Sequence, residues 1–333
     1  TTSDADNDGL PDNWEILNGR DPLVADYMVS AGGYHTCALD DTGVVCWGRN
    51  RYGQSTPPKL TNPTQLSAGY YHTCALDDSG VVCWGSNAYG QTTVPTLTNP
   101  TQVSAGGNHT CALDDTGVVC WGRSGYGQTA VPELANPSQI NAGGNTTCAI
   151  DTTGLVCWGW KLAEQTSVPP LTNPIQASAG LYHTCALDDT GVVCWGNSIA
   201  DSNGATTAPA LTNPTQISAG HYHTCAVDDT GAICWGSDEF GQTTALTLIN
   251  PSQVDAGVNH TCVLDDTGVV CWGRNSEGQT TVPNLLIDPD GDGYSNQGAA
   301  DAFPLDSTEW LDTDSDGIGD NTDKDRDGDG FIN

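Results

Sequence analysis

The chain has 333 residues and carries 41 acidic side chains against nine basic ones, for a formal net charge of −32. This charge excludes nucleic acid and anionic membrane as main partners, because both would repel the protein. The apolar stretches are only a few residues long, far short of a transmembrane helix, so no membrane insertion is expected.

The charge is concentrated at the two ends of the chain. Residues 1–27 hold seven acids and one base, and residues 288–333 hold fourteen acids and two bases. This divides the chain into an N-terminal segment (1–27), a central region (28–287) and a C-terminal segment (288–333). Because the chain begins at Thr1 without a signal-peptide pattern, we expect a mature, processed secreted protein.

The N-terminal segment contains the pattern of an EF-hand-like calcium loop. Oxygen ligands fall at positions 1, 3, 5, 9 and 12 of the loop, and Gly9 stands at position 6, where the chain must turn sharply. A solvated acidic arm is the alternative. The predicted ligands are Asp4, Asp6, Asp8, Leu10 (through its carbonyl), Asp12 and Glu15.

The central region is a sevenfold repeat marked by cysteine pairs. The cysteines of a pair are nine residues apart, and successive pairs follow at intervals of 37 residues, with one interval of 40. A fixed period of this size predicts a repeat architecture. The pairs are Cys37 and Cys46, Cys74 and Cys83, Cys111 and Cys120, Cys148 and Cys157, Cys185 and Cys194, Cys225 and Cys234, and Cys262 and Cys271.

Each cysteine pair brackets a predicted β-hairpin. Residues 40–43 read Asp-Asp-Thr-Gly, which is a turn composition. If Asp40 faces Gly43, then Cys37 faces Cys46 on one side of the sheet, as a cross-strand disulfide requires. Seven such pairs predict an oxidising compartment. Zinc is the competing interpretation, but this gap across a hairpin is not a zinc-knuckle spacing.

Further strands are predicted on either side of the hairpin, one at Thr64–Gly69 and an edge strand at Gly90–Pro95. Both hairpin faces are apolar, so both must be covered. The predicted fold is therefore all-β: a seven-bladed β-propeller over 28–287 with one intra-blade hairpin disulfide per blade, flanked by short calcium-bound, loop-rich segments. A β-solenoid is the competing architecture.

Six repeats carry a histidine two residues before the first cysteine. A ring of metal-binding or catalytic histidines competes with a structural role, in which half-buried histidines hold neighbouring backbone. We favour the structural role, because the fourth repeat has Thr146 instead and no carboxylate partner recurs. The histidines are His35, His72, His109, His183, His223 and His260.

Other recurring residues are assigned to packing or to loops. The Trp-Gly pairs, from Trp47 to Trp272, predict blade packing rather than a sugar-binding platform. Turn aspartates such as Asp77 and Asp78 are interpreted as solubilising residues. Glycosylation sequons occur at Asn108, Asn145 and Asn259. Tyrosines that would mark a binding face, if they cluster, are Tyr34, Tyr52, Tyr70, Tyr71, Tyr89, Tyr126, Tyr182 and Tyr222.

The C-terminal segment repeats the calcium pattern three times. Its third loop reaches only position 9, so a missing ligand would come from water or from another molecule, unless a longer precursor is cut there. The predicted ligands are Asp288, Asp290, Asp292 and Asn296; Asp312, Asp314, Asp316, Ile318, Asp320 and Asp323; and Asp325, Asp327, Asp329 and Asn333.

These motifs resemble known families. The recurring Ser-Ala-Gly-x-x-His-Thr-Cys-Ala-Leu, Gly-Val-Val-Cys-Trp-Gly and Asn-x-x-Gly-Gln are similar to the repeat of the regulator of chromosome condensation superfamily, which implies a seven-bladed propeller over about residues 28–287. The Gly-Gln-Thr-Thr-Val-Pro ending resembles bacterial members, such as a secreted β-lactamase inhibitory protein. Both terminal segments resemble thrombospondin type 3 repeats. The cysteine pairs depart from the nuclear members of the superfamily.

No nucleophile elbow, zinc-protease motif or phosphate loop is present, so we expect no enzyme. The favoured function is an extracellular, calcium-binding structural protein that joins copies of itself head to tail through its acidic segments into a surface filament or layer. The alternative is a secreted adhesin or inhibitor that binds a protein or glycan on one loop face, which an aromatic cluster would distinguish.

The calcium interpretation predicts that replacing Asp312 and Asp316 together by asparagine loosens the C-terminal segment and spares the blades, because two ligands of one loop are lost. Limited proteolysis with calcium present measures this. An unchanged cleavage rate of the segment would contradict calcium binding there.

Overall fold

The computed structural model describes residues 27–40, 42–161, 164–196, 203–285 and 311. They form seven antiparallel three-stranded sheets, the blades of a seven-bladed β-propeller. Each blade contains an inner, a middle and an outer strand, in chain order. Blade one is β1–β3, and blade seven is β19–β21.

The inner strands are β1 (Met28–Ala31), β4 (Gln65–Ala68), β7 (Gln102–Ala105), β10 (Gln139–Ala142), β13 (Gln176–Ala179), β16 (Gln216–Ala219) and β19 (Gln253–Ala256). The middle strands are β2 (His35–Asp40), β5 (His72–Asp77), β8 (His109–Asp114), β11 (Thr146–Asp151), β14 (His183–Asp188), β17 (His223–Asp228) and β20 (His260–Asp265). The outer strands are β3 (Gly43–Gly48), β6 (Gly80–Gly85), β9 (Gly117–Gly122), β12 (Gly154–Gly159), β15 (Gly191–Gly196), β18 (Gly231–Gly236) and β21 (Gly268–Gly273).

The hairpin register confirms the prediction from the cysteine spacing. Asp40 pairs with Gly43 and Cys37 with Cys46, and the same register recurs in every blade. All fourteen cysteines form intra-blade disulfides between the predicted partners. Gly43 has a φ of 106°, the left-handed backbone that this turn needs and that a side chain would strain.

The hydrophobic core lies between neighbouring blades rather than inside any one of them. The hairpin of blade one packs its cysteine face, with Cys37 and Leu39, against Leu66, Ala75 and Trp84 of blade two. The tryptophans of the Trp-Gly pairs are therefore packing residues, as predicted. Each blade depends on its neighbours to cover both of its faces.

The predicted edge strand at Gly90–Pro95 is wrong, because these residues form a turn and an extended connection instead. Backbone turns close from Gly90 to Asn87 and from Thr93 to Gly90. The buried Gln91 directs its carbonyl into the next blade, where it accepts hydrogen bonds from Thr110 Oγ1 at 2.8 Å and Trp121 Nε1 at 2.9 Å. Hydrogen bonds from side chains of the next blade to this carbonyl thus take the place of the backbone pairing that a fourth strand would make.

This contact recurs at each blade junction and also closes the ring. In blade one, Thr36 Oγ1 and Trp47 Nε1 donate to the carbonyl of Gln279 in blade seven, at 2.8 and 2.9 Å. His260 Nε2 of blade seven lies 3.0 Å from the same Thr36 hydroxyl. The two ends of the propeller are therefore joined by the same groups that join adjacent blades.

The inner strands are joined by side chains as well. Gln65 Oε1 accepts the backbone N–H of Val103 at 2.8 Å, and Ser67 Oγ accepts that of Ala105 at 2.9 Å. At the closure, Asp255 replaces the serine and accepts from Ala31 N at 2.9 Å and Ser30 Oγ at 3.1 Å. The inner strands so joined line a central channel of about 280 Å³.

The junction geometry predicts unequal costs for two chemically identical substitutions. Thr36→Val removes the acceptor of His260 and a donor to Gln279, and the buried histidine N–H is left unpaired. Thr184→Val removes only a donor to Gln165, because Thr146 stands where blade four would supply a histidine. Buried unpaired groups cost about 1–3 kcal/mol, so we expect Thr36→Val to lower the free energy of unfolding by about 1–2 kcal/mol more than Thr184→Val. Urea unfolding of the oxidised protein measures both, and equal losses would contradict the shared role of His260.

Candidate binding face

The propeller has two chemically different ends. Tyr34 lies in the loop between the inner and middle strands of blade one, and Arg49 follows the outer strand. The backbone N–H of Arg49 donates to the backbone carbonyl of Tyr34 at 2.9 Å. These two kinds of loop share one end of the propeller in every blade, and we name it the arginine–tyrosine face. The hairpin turns occupy the opposite end, which we name the aspartate face.

The predicted tyrosines do cluster, and the cluster crosses the arginine–tyrosine face. Tyr34 and Tyr71 stack with ring centroids 6.3 Å apart, and Tyr182 and Tyr222 stack at 5.1 Å. His221, in the loop between β16 and β17, links the two sides, because its ring centroid lies 5.3 Å from that of Tyr70 and 6.2 Å from that of Tyr182. The aromatic contacts further include Tyr52 with Tyr71, Tyr70 with Tyr71, His221 with Tyr222, and Trp160 with both Tyr126 and Tyr182.

Three arginines are each stacked against two aromatic rings on this face. The Arg49 guanidinium lies 5.3 Å from the Tyr34 ring centroid and 5.8 Å from that of Tyr71. Arg123 lies between Tyr89 and Tyr126, at 5.2 and 5.6 Å, and Arg274 between Tyr34 and Phe240, at 5.6 and 5.1 Å. A guanidinium over an aromatic ring at these distances is attracted by the ring's electrons, and its N–H groups are suited to acceptors such as carboxylates.

Large rings project from the rim of the face on rigid supports. Tyr52, Tyr89 and Tyr126 are 47%, 51% and 44% exposed. Each one precedes a buried glutamine by two residues, and that glutamine's Oε1 accepts the ring residue's backbone N–H at 2.9 Å. Exposed aromatic rings that are held in place lose little entropy on binding, and they are enriched among the residues that dominate protein interfaces.

Tyr70 lies across the mouth of the central channel. A methyl group added at Gly144 would lie 2.7 Å from the Tyr70 hydroxyl, so the residue reaches from blade two to blade four, and its ring also contacts His221 of blade six. Burial raises the pKa of Tyr70 and lowers the pKa of His221 to about 4. The face is therefore a neutral aromatic centre with arginines around part of its rim.

Positive charge is confined almost entirely to this face. Of the six lysines and arginines between residues 28 and 287, five follow an outer strand, and only the exposed Lys59 lies elsewhere. Acidic residues are present here too, at Glu164, Asp238, Glu239 and Glu277. The face carries mixed charge, while the hairpin turns at the opposite end carry only acids.

The turn aspartates have a structural role, which corrects their interpretation as solubilising residues. Asp77 Oδ1 accepts from Ser79 N at 2.8 Å and Ser79 Oγ at 2.6 Å, and its Oδ2 accepts from Thr61 N at 3.0 Å. In blade four, the backbone N–H of Ala135, followed by the Thr153 hydroxyl, holds the pKa of Asp151 below its ordinary value. The first aspartate of each hairpin shapes the turn and ties it to the neighbouring connection.

The six recurring histidines are structural, but they are more buried than predicted and hold side chains rather than backbone. Each is fully buried, with Nε2 2.8–3.0 Å from a threonine hydroxyl of the next blade. Since Thr73 Oγ1 donates its proton to Gln54 O, His35 Nε2 must be the donor to Thr73. A second proton would reside on Nδ1, which has no hydrogen-bond partner, and burial lowers the pKa of His35 to about 3.

This arrangement predicts that the propeller loses stability in mild acid. Unfolded histidines take up protons below pH 6.5, whereas the folded ones resist until about pH 3 or 4, so the free energy of unfolding falls as the pH drops from 6.5. The slope from each histidine grows as the pH falls through 6.5 and approaches about 1.4 kcal/mol per pH unit near pH 5. Urea midpoints between pH 7 and 5 measure the slope. His72→Thr, which copies Thr146 of blade four, should reduce that slope by one proton, and an unchanged slope would contradict this origin.

The other sequence predictions fall partly outside the described residues. The calcium ligands in residues 4–15 and 288–333 lie outside them and stay predictions, as does glycosylation. The sequon asparagines are half-buried on the arginine–tyrosine face, where they replace the tyrosines of other blades. Within the described ranges, no cluster of three or more histidine, cysteine, aspartate or glutamate residues is arranged to hold a metal, and no helix is long and apolar enough to cross a bilayer.

Comparison with known families agrees with this architecture of seven stapled, mutually packed blades. The model of the Regulator of chromosome condensation (RCC1) repeat matches six segments that cover half of the chain, at residues 29–54, 64–91, 101–128, 175–204, 215–242 and 252–279. The chain therefore belongs to this repeat family. Blade four, which lacks the histidine, lies outside the matched segments but has the same strands. A search of curated proteins gives no match.

Solved propellers show the same fold. The ectodomain of the receptor kinase CR4 from Physcomitrella patens is 26% identical, with 74% of this chain and 73% of that chain covered and a TM-score of 0.63. The CRINKLY ectodomain of the Arabidopsis thaliana receptor kinase ACR4 is 25% identical, with coverages of 74% and 97% and a TM-score of 0.61. Prp20p from Saccharomyces cerevisiae, at 21% identity, coverages of 76% and 83% and a TM-score of 0.58, shows the fold alone. The resemblance to bacterial inhibitory proteins stays a prediction.

Proposed function

We propose that this protein is an extracellular, non-catalytic binding module that recognises a protein partner on its arginine–tyrosine face. The observation that carries the proposal is the aromatic cluster, which runs from Tyr34 through Tyr70 and His221 to Trp160, with three arginines stacked on its rings. Tyrosine, tryptophan and arginine are the residues that most often dominate protein interfaces.

Two recurring sets of polar groups in the described blades are committed to structure. The recurring histidines hold threonines across blade junctions, and the first hairpin aspartates are hydrogen-bonded within their turns. These commitments support binding rather than catalysis, because a general base needs a free lone pair near a substrate.

Seven disulfides support an extracellular location, since such bonds persist in oxidising compartments. The two plant relatives at 25–26% identity are receptor ectodomains. Both observations agree with a secreted or surface-attached protein.

The described residues therefore favour a binding module over a structural filament as the function of the protein. An aromatic cluster on one loop face was the feature that would distinguish the second function, and the described residues contain it. Calcium-linked assembly through the terminal segments keeps its support from the loop spacing alone.

The proposal predicts that peptides selected on the full-length protein from a random phage-displayed library bind this face. Tyr126→Ala and Trp160→Ala should each weaken such peptides by about tenfold or more, because truncating an interface anchor costs about 2 kcal/mol. Titration calorimetry measures the affinities.

Asp115→Asn, on the aspartate face, serves as the matched control and should leave the affinities unchanged. Selected peptides that bind all three variants and the parent protein equally well would overturn the assignment of the face.

A further inference from the structure

The arginine–tyrosine face fits a particular occupant. We propose that it binds the acidic C-terminal segment, residues 288–333, of a second copy of this chain, so that propellers associate head to tail. This inference rests on the proposed function, since it names the partner of the same face.

Charge complementarity is the first support. The segment holds fourteen acids and two bases in 46 residues, together with aromatic residues at Tyr294, Phe303, Trp310 and Phe331. The face holds Arg49, Arg123 and Arg274, whose guanidinium groups lie over aromatic rings. Each guanidinium has five N–H donors suited to carboxylates, and of these Arg274 Nε donates to Ser276 Oγ at 3.0 Å. Arginine–carboxylate pairs of this kind are stronger than neutral hydrogen bonds, and aromatic rings on both sides add apolar contact.

The exit point of the chain is the second support. Leu285 occupies in blade seven the position of Leu97 in blade two, six residues after the glutamine of the turn. The residue after Leu97 is Thr98, whose backbone N–H donates to Asp114 of a hairpin turn at 2.8 Å. Leu285 likewise packs with Leu264 and Val269, which flank the last hairpin. The chain thus leaves the propeller beside the aspartate face.

The polarity of the propeller then sets the mode of association. Leu285, which precedes the acidic segment, lies beside the aspartate face, and Arg49, Arg123 and Arg274 lie on the arginine–tyrosine face at the other end. A segment that leaves one copy toward the next meets an arginine–tyrosine face. The resulting pair still has one unoccupied face, on one copy, and one unbound segment, on the other. Such a heterologous contact does not close on itself, so it propagates into chains of propellers.

The net charge of −32 on each copy opposes association at low salt, whereas the pairing of arginines with carboxylates at the contact stabilises the complex. Association should therefore be strongest at intermediate ionic strength, where long-range repulsion between copies is screened more than the contacts of stacked, partly buried arginines. High salt should weaken it again.

The experiment is sedimentation velocity of the full-length protein over a range of protein and salt concentrations, with a chelator present so that calcium does not occupy the carboxylates. We expect concentration-dependent oligomers that a synthetic peptide of residues 288–333 dissolves. The same peptide with its aspartates replaced by asparagines should have no effect.

The combined variant Arg49→Gln, Arg123→Gln and Arg274→Gln should lower the association constant by at least about tenfold. Lys59→Gln, which among the described residues removes the one lysine or arginine that lies off this face, is the matched control and should associate like the parent. The urea midpoints of both variants, compared with the parent, verify that the blades remain folded.

Two results would overturn the inference. One is a monomer under all conditions, including the case in which the segment folds back onto its own face. The other is an oligomer that the triple variant and the peptide leave intact. In either case the library-selected peptides still report on the face itself, so failure of this inference is distinguishable from failure of the binding function.

Discussion

The propeller depends on one buried contact, in which the backbone carbonyl at the end of each blade's last turn accepts a threonine hydroxyl and an indole N–H of the next blade. The contact spans Gln54 to Thr73 and Trp84 at the first junction and Gln279 to Thr36 and Trp47 at the closure. An adjacent histidine completes it at six junctions. At those six junctions the threonine both donates and accepts, so removing one member leaves another unpaired in a buried site. This requirement explains why the sequence varies so little around the cysteines and so freely in the loops beyond.

This contrast between constrained strands and variable loops is what creates a binding surface. The ring presents the loops of its blades at one end, and loops tolerate substitution better than the strands that they connect, so arginine, tyrosine or tryptophan can replace serine or asparagine from blade to blade. Positions that follow an outer strand hold Arg49, Arg123, Trp160 and Arg274, but Ser86 and Ser237 elsewhere. The repeated strands hold the loops in fixed positions, and the loop residues that differ from blade to blade provide the aromatic and charged groups of the face.

The sequence predicted the fold to the level of hairpin register, because cysteine spacing and turn composition are local constraints that tertiary packing does not override. The edge strand was predicted wrongly because a Thr-Thr-Val-Pro run has strand composition, whereas the decisive interaction is the buried Gln91 beside it. The tyrosines of the aromatic cluster were named from the sequence, but His221 and Trp160 were not, and the contacts among them could not be predicted. Tyr70 and His221 belong to blades two and six and meet only because the ring closes. Comparing the residue after each Trp-Gly pair across repeats would have found the arginines. The calcium loops are purely local patterns, and the described residues do not test them.

The disulfides have a mechanical consequence. Each bridge closes within a hairpin, between cysteines nine residues apart, and none joins one blade to another. A tensile load applied to the two ends of the chain would therefore act on noncovalent bonds at the closure between blades one and seven, where only hydrogen bonds and packing resist it. Once the ring parts, blades would extend one at a time, and each would release only the length outside its bridge. The molecule would lengthen blade by blade while the disulfide of every hairpin stays intact.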